Sequence, residues 1–166
     1  MDPLRLVAGN SRGLYLLMLV GALAFVVAGV VIVRHEPGAN GLIGWSSILF
    51  FGGCALVFVR QLLDSRPRIV LDQRGVFDRT LGIGVIPWRD IIGAELKSMQ
   101  RNHFICLELR NPEHWIGKLS PTQRKLVALN QRMGYSALNV NLSGVAADPH
   151  QVLEFIVKMA ALPARD

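Results

Sequence analysis

The sequence predicts an α+β protein, in which a two-helix transmembrane hairpin is followed by a bent antiparallel sheet with an inserted helix and a C-terminal amphipathic helix. Three observations lead to this prediction. Two long apolar runs open the chain, short segments of alternating polarity follow them, and two helix start signals lie near the end. We expect residues 1–63 to form an N-terminal segment and the hairpin, and residues 64–166 to form one soluble domain.

The apolar runs extend from Gly13 to Val33 and from Pro37 to Val59, and neither contains a charged residue. A bilayer core about 30 Å thick needs about 20 helical residues to cross it. The large apolar side chains of the first run favour insertion by roughly 4 to 8 kcal/mol in sum. We therefore expect spans at about residues 13–33 and 42–62. The first run is too long for the apolar region of a cleaved signal peptide.

Positive charges flank the two runs unevenly. Only Arg34 lies between the runs, whereas the arginines outside them are Arg5, Arg12, Arg60, Arg66, Arg68 and Arg74. This bias predicts a multi-pass protein with both termini in the cytoplasm. Attraction of the arginines to anionic lipid headgroups explains the net charge of +6, and we expect no nucleic-acid partner. Because no Asp, Glu, Lys, Arg or His lies inside either run, the sequence argues against a transporter or channel.

Small residues recur within both runs, where they allow helix backbones to approach closely. The first run contains Gly21, Ala24, Ala28 and Gly29, and the second contains Gly44, Ser47, Gly52 and Gly53. We expect these residues to pack the two helices of one hairpin against each other. A homodimer formed through the same stripe is the alternative.

Alternation of apolar and polar residues predicts the strands of the soluble domain, at about residues 68–72, 76–80, 85–90, 92–97, 103–110 and 136–142. Ser120-Pro121-Thr122-Gln123 and Asp148-Pro149 are helix start signals. They predict one helix that ends before Gly134 and one C-terminal helix. We expect both helices to bury an apolar stripe, formed by Leu126, Val127, Leu129 and Met133 in the first and by Val152, Leu153, Phe155, Ile156 and Met159 in the second. We expect an exposed loop at residues 111–119.

The stretch Gly84-Val85-Ile86-Pro87-Trp88-Arg89-Asp90-Ile91 resembles the G-x-I-x-W-x-D-I motif of bacterial pleckstrin-homology-like domains. That motif leads into the central strand of a bent antiparallel sheet, and the C-terminal amphipathic helix is similar too. Two spans ahead of such a domain resemble a group of small uncharacterised bacterial two-pass inner-membrane proteins. The helix from Ser120 departs from the family's simplest seven-strand plan. From the residues themselves, we expect Trp88 to anchor the core at a strand edge and Asp90 to accept backbone N–H bonds.

Few residues are placed for catalysis or metal binding. Cys54 lies in the second run and Cys106 in a predicted strand, so neither has a partner at disulfide or metal spacing. Glu113 and His114 could act as an acid–base pair, although an exposed loop explains them without chemistry. We expect no enzyme activity, no metal and no cofactor.

Basic residues at the start of the soluble domain are the remaining functional candidates, namely Arg68, Arg74 and Arg79. The resemblance implies that such a cluster at the first hairpin could recognise an anionic lipid headgroup. We expect instead a non-enzymatic binding or scaffold module at the cytoplasmic face of the inner membrane. Its partner would be an unknown membrane or cytoplasmic protein that adds a strand at the sheet edge or at the open end of the bent sheet. Headgroup recognition by the three arginines is the alternative.

Overall fold

The structure is a computed structural model that describes residues 5–35, 38–100, 102–132, 134 and 136–162. The chain divides into two compact units. One unit comprises residues 10–66, and the other comprises residues 1–9 together with residues 67–166. The second unit therefore contains chain from both sides of the first.

The first unit is a pair of long apolar helices, α1 at Arg12–His35 and α2 at Ala39–Leu63. The mean hydropathy of their most apolar windows is 3.0 for α1 and 2.1 for α2, and only 11% of each window is buried. Both helices are long and apolar enough to cross a membrane. Leu17, Leu49 and Leu56 are among the large side chains that they leave exposed. A soluble core helix would bury such residues.

The two helices touch most closely where Gly29 of α1 meets Gly44 of α2. A Cβ atom on Gly29 would lie 2.8 Å from the Gly44 carbonyl oxygen, so only glycine permits this approach. Ser47 Oγ donates to the Phe25 carbonyl at 3.1 Å, and the rings of Phe25 and Phe51 stack with centroids 4.4 Å apart. Close backbone approach, one hydrogen bond and ring stacking thus join the helices.

Other small residues that we expected at this contact lie elsewhere. Ala24 and Ala28 are exposed. A Cβ atom at Gly21, Gly52 or Gly53 would have no atom within 4 Å apart from the adjacent residues and the backbone of its own helix. The contacting face of α1 instead includes the buried residues Ala22 and Gly29. These positions are seven apart and share a helix face, whereas Ala24 and Ala28 lie on the opposite side.

The second unit contains two antiparallel sheets. The first sheet has the order β1–β2–β3–β4, with strands at Leu6–Ala8, Ile69–Asp72, Gly75–Asp78 and Val85–Ile86. The second has the order β5–β6–β7, with strands at Ile91–Met99, Asn102–Leu109 and Leu138–Asn141. A 3₁₀ turn at Trp88–Asp90 connects the two sheets. The predicted strands after residue 67 are present, with shorter bounds for most of them.

Strand β1 was not predicted, because it lies before the apolar runs. It pairs with β2, which follows those runs, in the register Leu6↔Leu71, Val7↔Val70 and Ala8↔Ile69. The Arg68 amide also donates to the Ala8 carbonyl at 2.9 Å. The first sheet is therefore built from both sides of the helical hairpin.

Three helices complete the second unit, α3 at Pro112–Lys118, α4 at Pro121–Arg132 and α5 at Pro149–Ala160. The predicted capping box is present, since Ser120 N donates to Gln123 Oε1 at 3.0 Å and Gln123 N donates to Ser120 Oγ at 3.4 Å. Asp148 accepts from the amides of His150 and Gln151 and so caps α5. The prediction of a loop at residues 111–119 was wrong. Asn111 caps α3 there, and Trp115 is buried.

The core of the second unit lies between the sheets and α5. It includes Ile69, Leu71, Ile105, Leu107, Val140, Val152 and Ile156, which are all fully buried. The predicted stripe of α5 is present, with Val152, Ile156 and Met159 buried and Leu153 and Phe155 partly buried against the core. The predicted stripe of α4 was wrong. Only Val127 is buried, Leu126 and Leu129 are exposed, and Met133 lies outside the described residues.

Candidate functional site

Trp88 lies where the two sheets join. Its indole Nε1 donates to the Asp72 carbonyl at 2.8 Å, and its ring centroid lies 6.2 Å from that of Phe155 on α5. Gly75 begins β3 close by, and a Cβ atom there would clash with the Ile86 carbonyl. Trp88 therefore links the end of β2 to the C-terminal helix at a point where two backbones cross closely.

Asp90 joins the end of the 3₁₀ turn to α3. Its carboxylate Oδ2 accepts from the indole Nε1 of Trp115 at 3.2 Å, and its carbonyl accepts from the Arg110 amide at 2.8 Å. We expected the carboxylate to accept backbone N–H bonds, and the structure gives it an indole partner instead. The sequence did not indicate this partner, because residues 111–119 were not expected to form a helix.

The three arginines of the first hairpin do not form one cluster. Arg68 and Arg79 flank the open end of the β2–β3 hairpin, where the Arg79 amide donates to the Arg68 carbonyl at 2.9 Å. Arg74 lies in the turn at the other end. A strand of four residues separates these ends by roughly 13 Å. The three arginines are therefore divided between the two ends of the hairpin.

Arg68 is half-buried and is held inside the second unit. Its guanidinium donates to the Ser143 carbonyl at 2.9 Å. Nearby Asp78 is only 2% exposed and accepts from Thr80 N and Thr80 Oγ1, both at 2.7 Å. Burial raises the pKa of Asp78, although the hydrogen bonds of Thr80 and the charge of Arg68 act in the opposite direction. These contacts favour a structural role for Arg68.

Arg74 is the exposed arginine of this set, with 77% of its side chain accessible. Its Nη2 lies 3.0 Å from Asp72 Oδ2, and its backbone amide donates to Asp72 Oδ1 at 2.9 Å. Partial burial acts to raise the pKa of Asp72, but the hydrogen bonds and the charge of Arg74 outweigh it and lower that pKa. The charge of Arg74 is thus partly neutralised within its own turn.

Strand β5 presents an edge without a neighbouring strand in the described part of the chain. Its pairing with β6 runs from Ile91↔Leu109 to Met99↔Asn102, with an irregularity between Ile91 and Gly93, and it is an outer strand of its sheet. Lys97 lies 3.4 Å from the Glu95 carboxylate and donates to the Gly134 carbonyl at 2.6 Å. The bulge and these charges are features that protect edge strands from random pairing.

A surface that the sequence prediction assigned to the core lies on α4. The side chain of Gln123 donates to the carbonyls of Thr80 and Leu81 at 3.0 and 3.2 Å, and Val127 is buried. Positions 123 and 127 therefore define the inward face of α4. Leu126 and Leu129 point away from that face and are 54% and 52% exposed.

The residues that could carry out chemistry lie in three separate places, on α2, on β6 and on α3. Glu113 and His114 are exposed on α3, and the His114 ring lies edge-on to Trp115 at 5.3 Å. Cys106 is buried in β6 and Cys54 lies on α2. Within the described ranges, no group of three or more His, Cys, Asp or Glu residues is arranged to hold a metal ion.

The comparisons with known proteins add no relative to this description. The chain matches no family model, and neither a curated protein nor a solved structure is significantly similar to it. The two apolar helices and the α+β unit are therefore described from the sequence and the structure of this chain alone.

Proposed function

We propose that the protein is a membrane-tethered, non-enzymatic binding module. In this proposal α1 and α2 cross the bacterial inner membrane, and the second unit is a pleckstrin-homology-like domain in the cytoplasm. The exposure of large apolar side chains along both helices supports the first part. Two sheets of four and three strands with a C-terminal helix agree with a seven-strand plan and support the second part.

The pairing of β1 with β2 supports a hairpin whose two ends lie on one side of the membrane. β1 precedes α1 and β2 follows α2, yet the two strands are neighbours in one sheet. A pair of spans that both cross the bilayer returns the chain to the side on which it started. The arginines outside the apolar runs favour the cytoplasm as that side.

The edge of β5 that has no neighbouring strand among the described residues is the observation that carries the binding proposal. An extended peptide can add to such an edge through main-chain hydrogen bonds. Because the irregularity lies near Gly93, the regular part of the edge runs from Ala94 to Met99, about 20 Å. A tether to the membrane raises the effective concentration of the domain toward membrane-bound partners. We therefore propose a membrane-associated protein with an extended segment as the partner.

Photocrosslinking in intact cells tests this proposal. A benzophenone side chain at Glu95 or Met99 lies on β5, whereas one at exposed His150 on α5 is a matched control. We expect a protein adduct of defined mass from the two β5 positions and none from His150. Equal labelling at all three positions would contradict recognition through this edge.

Recognition of an anionic headgroup by Arg68, Arg74 and Arg79 is the second candidate. The exposed guanidinium of Arg74 favours it, although the contacts of Arg68 with Ser143 do not. Replacing Arg74 by Ala would then weaken flotation of the soluble unit with vesicles that contain phosphatidylglycerol. Replacement of exposed Lys158 by Ala is the control for a loss of net charge. Equal flotation of the two variants would contradict headgroup recognition by Arg74.

A further inference from the structure

We propose that α4 lies in the headgroup layer of the membrane, with Leu126 and Leu129 among the upper acyl groups and Lys125 and Arg132 against anionic headgroups. This inference rests on the proposed function, because the tether is what keeps α4 close to a bilayer. It assigns to α4 a lipid contact that is separate from the arginines of the first hairpin.

The first step of the argument is the exposure of the two leucines. A capped amphipathic helix ordinarily turns its leucines toward the core. Here Gln123 and Val127 take the inward positions, so Leu126 and Leu129 remain more than half exposed. Residues three apart on a helix are neighbours, and the two leucines therefore form one continuous apolar surface.

The second step is the position of the basic residues. Lys125 lies four residues before Leu129, and Arg132 lies three residues after it. These spacings place both cations beside the leucine surface on an α-helix. A helix that carries leucines flanked by lysine and arginine is typical of segments that lie in the plane of a membrane interface.

The third step concerns the charge of the whole helix, which selects the occupant. Pro121–Arg132 contains Arg124, Lys125 and Arg132 and no acidic residue. Arg124 donates to the Gly117 and Leu119 carbonyls, which leaves it less free to contact a ligand. An anionic lipid surface complements this charge. A second copy of α4 would instead bring like charges together, which argues against a symmetric dimer through this surface.

The full chain in lipid nanodiscs allows a direct test. Cys54 and Cys106 are replaced by Ala, and a nitrobenzoxadiazole dye is attached at Leu129→Cys or, as a control, at Glu154→Cys on the exposed side of α5. Discs contain either phosphatidylcholine alone or phosphatidylcholine with phosphatidylglycerol. Lipids with a nitroxide on the upper acyl chain report direct contact by quenching the dye.

We expect the dye at position 129 to emit at shorter wavelength and to be quenched several-fold more strongly than the dye at position 154. The difference should be larger in discs with phosphatidylglycerol. Lys125→Gln and Arg132→Gln should each lower the equilibrium constant for contact of α4 with the membrane by about fivefold. The lower constant should be seen as weaker quenching of the dye at position 129. Both side chains are exposed, so we do not expect these substitutions to affect folding.

Three results would overturn the inference. Water-like emission at position 129 in both kinds of disc would leave the proposed function intact but remove α4 from the membrane. Blue-shifted emission without quenching by nitroxide lipid would indicate a protein on α4 instead. Failure of the chain to enter discs, with release from cell membranes by alkaline carbonate, would refute the tether and therefore both proposals.

Discussion

Removal of β1 should destabilise the second unit although β1 contains only three residues, Leu6–Ala8. The comparison is between two shortened chains. One consists of residues 67–166 alone, and the other has residues 5–9 joined to residues 67–166 by a Gly/Ser linker of about five residues. Such a linker is long enough because the Arg68 amide donates to the Ala8 carbonyl at 2.9 Å, which brings the two strand ends together.

The expected magnitude follows from the contacts of β1. Ala8 is 3% exposed, and Leu6 is partly buried against the core, so their burial contributes about 2 kcal/mol. The amides of Arg68 and Ala146 donate to the carbonyls of Ala8 and Gly9, which adds about 1 to 3 kcal/mol. The sum is about 3 to 5 kcal/mol, whereas a small domain has a total stability of about 5 to 15 kcal/mol.

Urea unfolding followed by tryptophan fluorescence measures the difference, because Trp115 is buried in the core. For a slope of about 1.3 kcal/mol/M, the linked chain should unfold at a urea concentration about 3 M higher than residues 67–166 alone. Two substitutions in the linked chain provide a matched pair. Ala8→Asp places a carboxylate in a buried site, whereas Val7→Asp places it at a position that is 47% exposed.

Equal midpoints for the two shortened chains would refute the reasoning, because β1 would then contribute nothing to the sheet. Equal tolerance of Ala8→Asp and Val7→Asp would also refute it. The second result would show that the pleat does not direct Ala8 inward as the register with Ile69 requires.

Three further predictions concern single side chains. Because burial raises the pKa of Asp78, the folded domain keeps this proton to a higher pH than the unfolded chain. The stabilising effect is complete below the unfolded pKa and is lost as pH rises through the folded pKa. Asp78→Asn should remove this pH dependence from urea titrations, and an unchanged dependence would exclude Asp78 as its source. Gly29→Val should weaken the association of α1 with α2 by about 1 to 3 kcal/mol, whereas Gly21→Val should change this free energy little. Energy transfer between dyes at the helix ends, followed during a detergent titration, measures the association. Trp88→Phe removes the bond to the Asp72 carbonyl and should cost about 1 kcal/mol in urea unfolding; a neutral effect would show that this bond does not stabilise the domain.

Local patterns predicted the helices and strands whose signals are contained in a few neighbouring residues. The capping box at Ser120 and the cap at Asp148 are present because each depends on contacts within one turn. Strand β1 could not be predicted in this way, since its partner lies beyond the whole hairpin. Asn111 followed by Pro112 is a start signal for α3. The helix was nevertheless not predicted, because its seven residues are too few to show a helical repeat of apolar positions.

The candidate sites were harder to predict than the elements, because they depend on which side of an element faces the core. The spacing of Leu126 and Leu129 identified an apolar surface on α4 but not its exposure. Contacts of Gln123 with Thr80 and Leu81 decide that orientation, and they join distant parts of the chain. Similarly, Arg68 and Arg74 are close in sequence, but strand pairing places them at opposite ends of the hairpin.

The pairing of β1 with β2 has a consequence for how the protein is made. A ribosome that adds about 5 to 20 residues per second needs about 3 to 11 s to synthesise residues 10–66. During that interval β1 has already been synthesised, but its partner β2 does not yet exist. The first sheet can be completed only after both apolar helices have left the ribosome. The second unit therefore cannot finish folding until synthesis of the hairpin is complete.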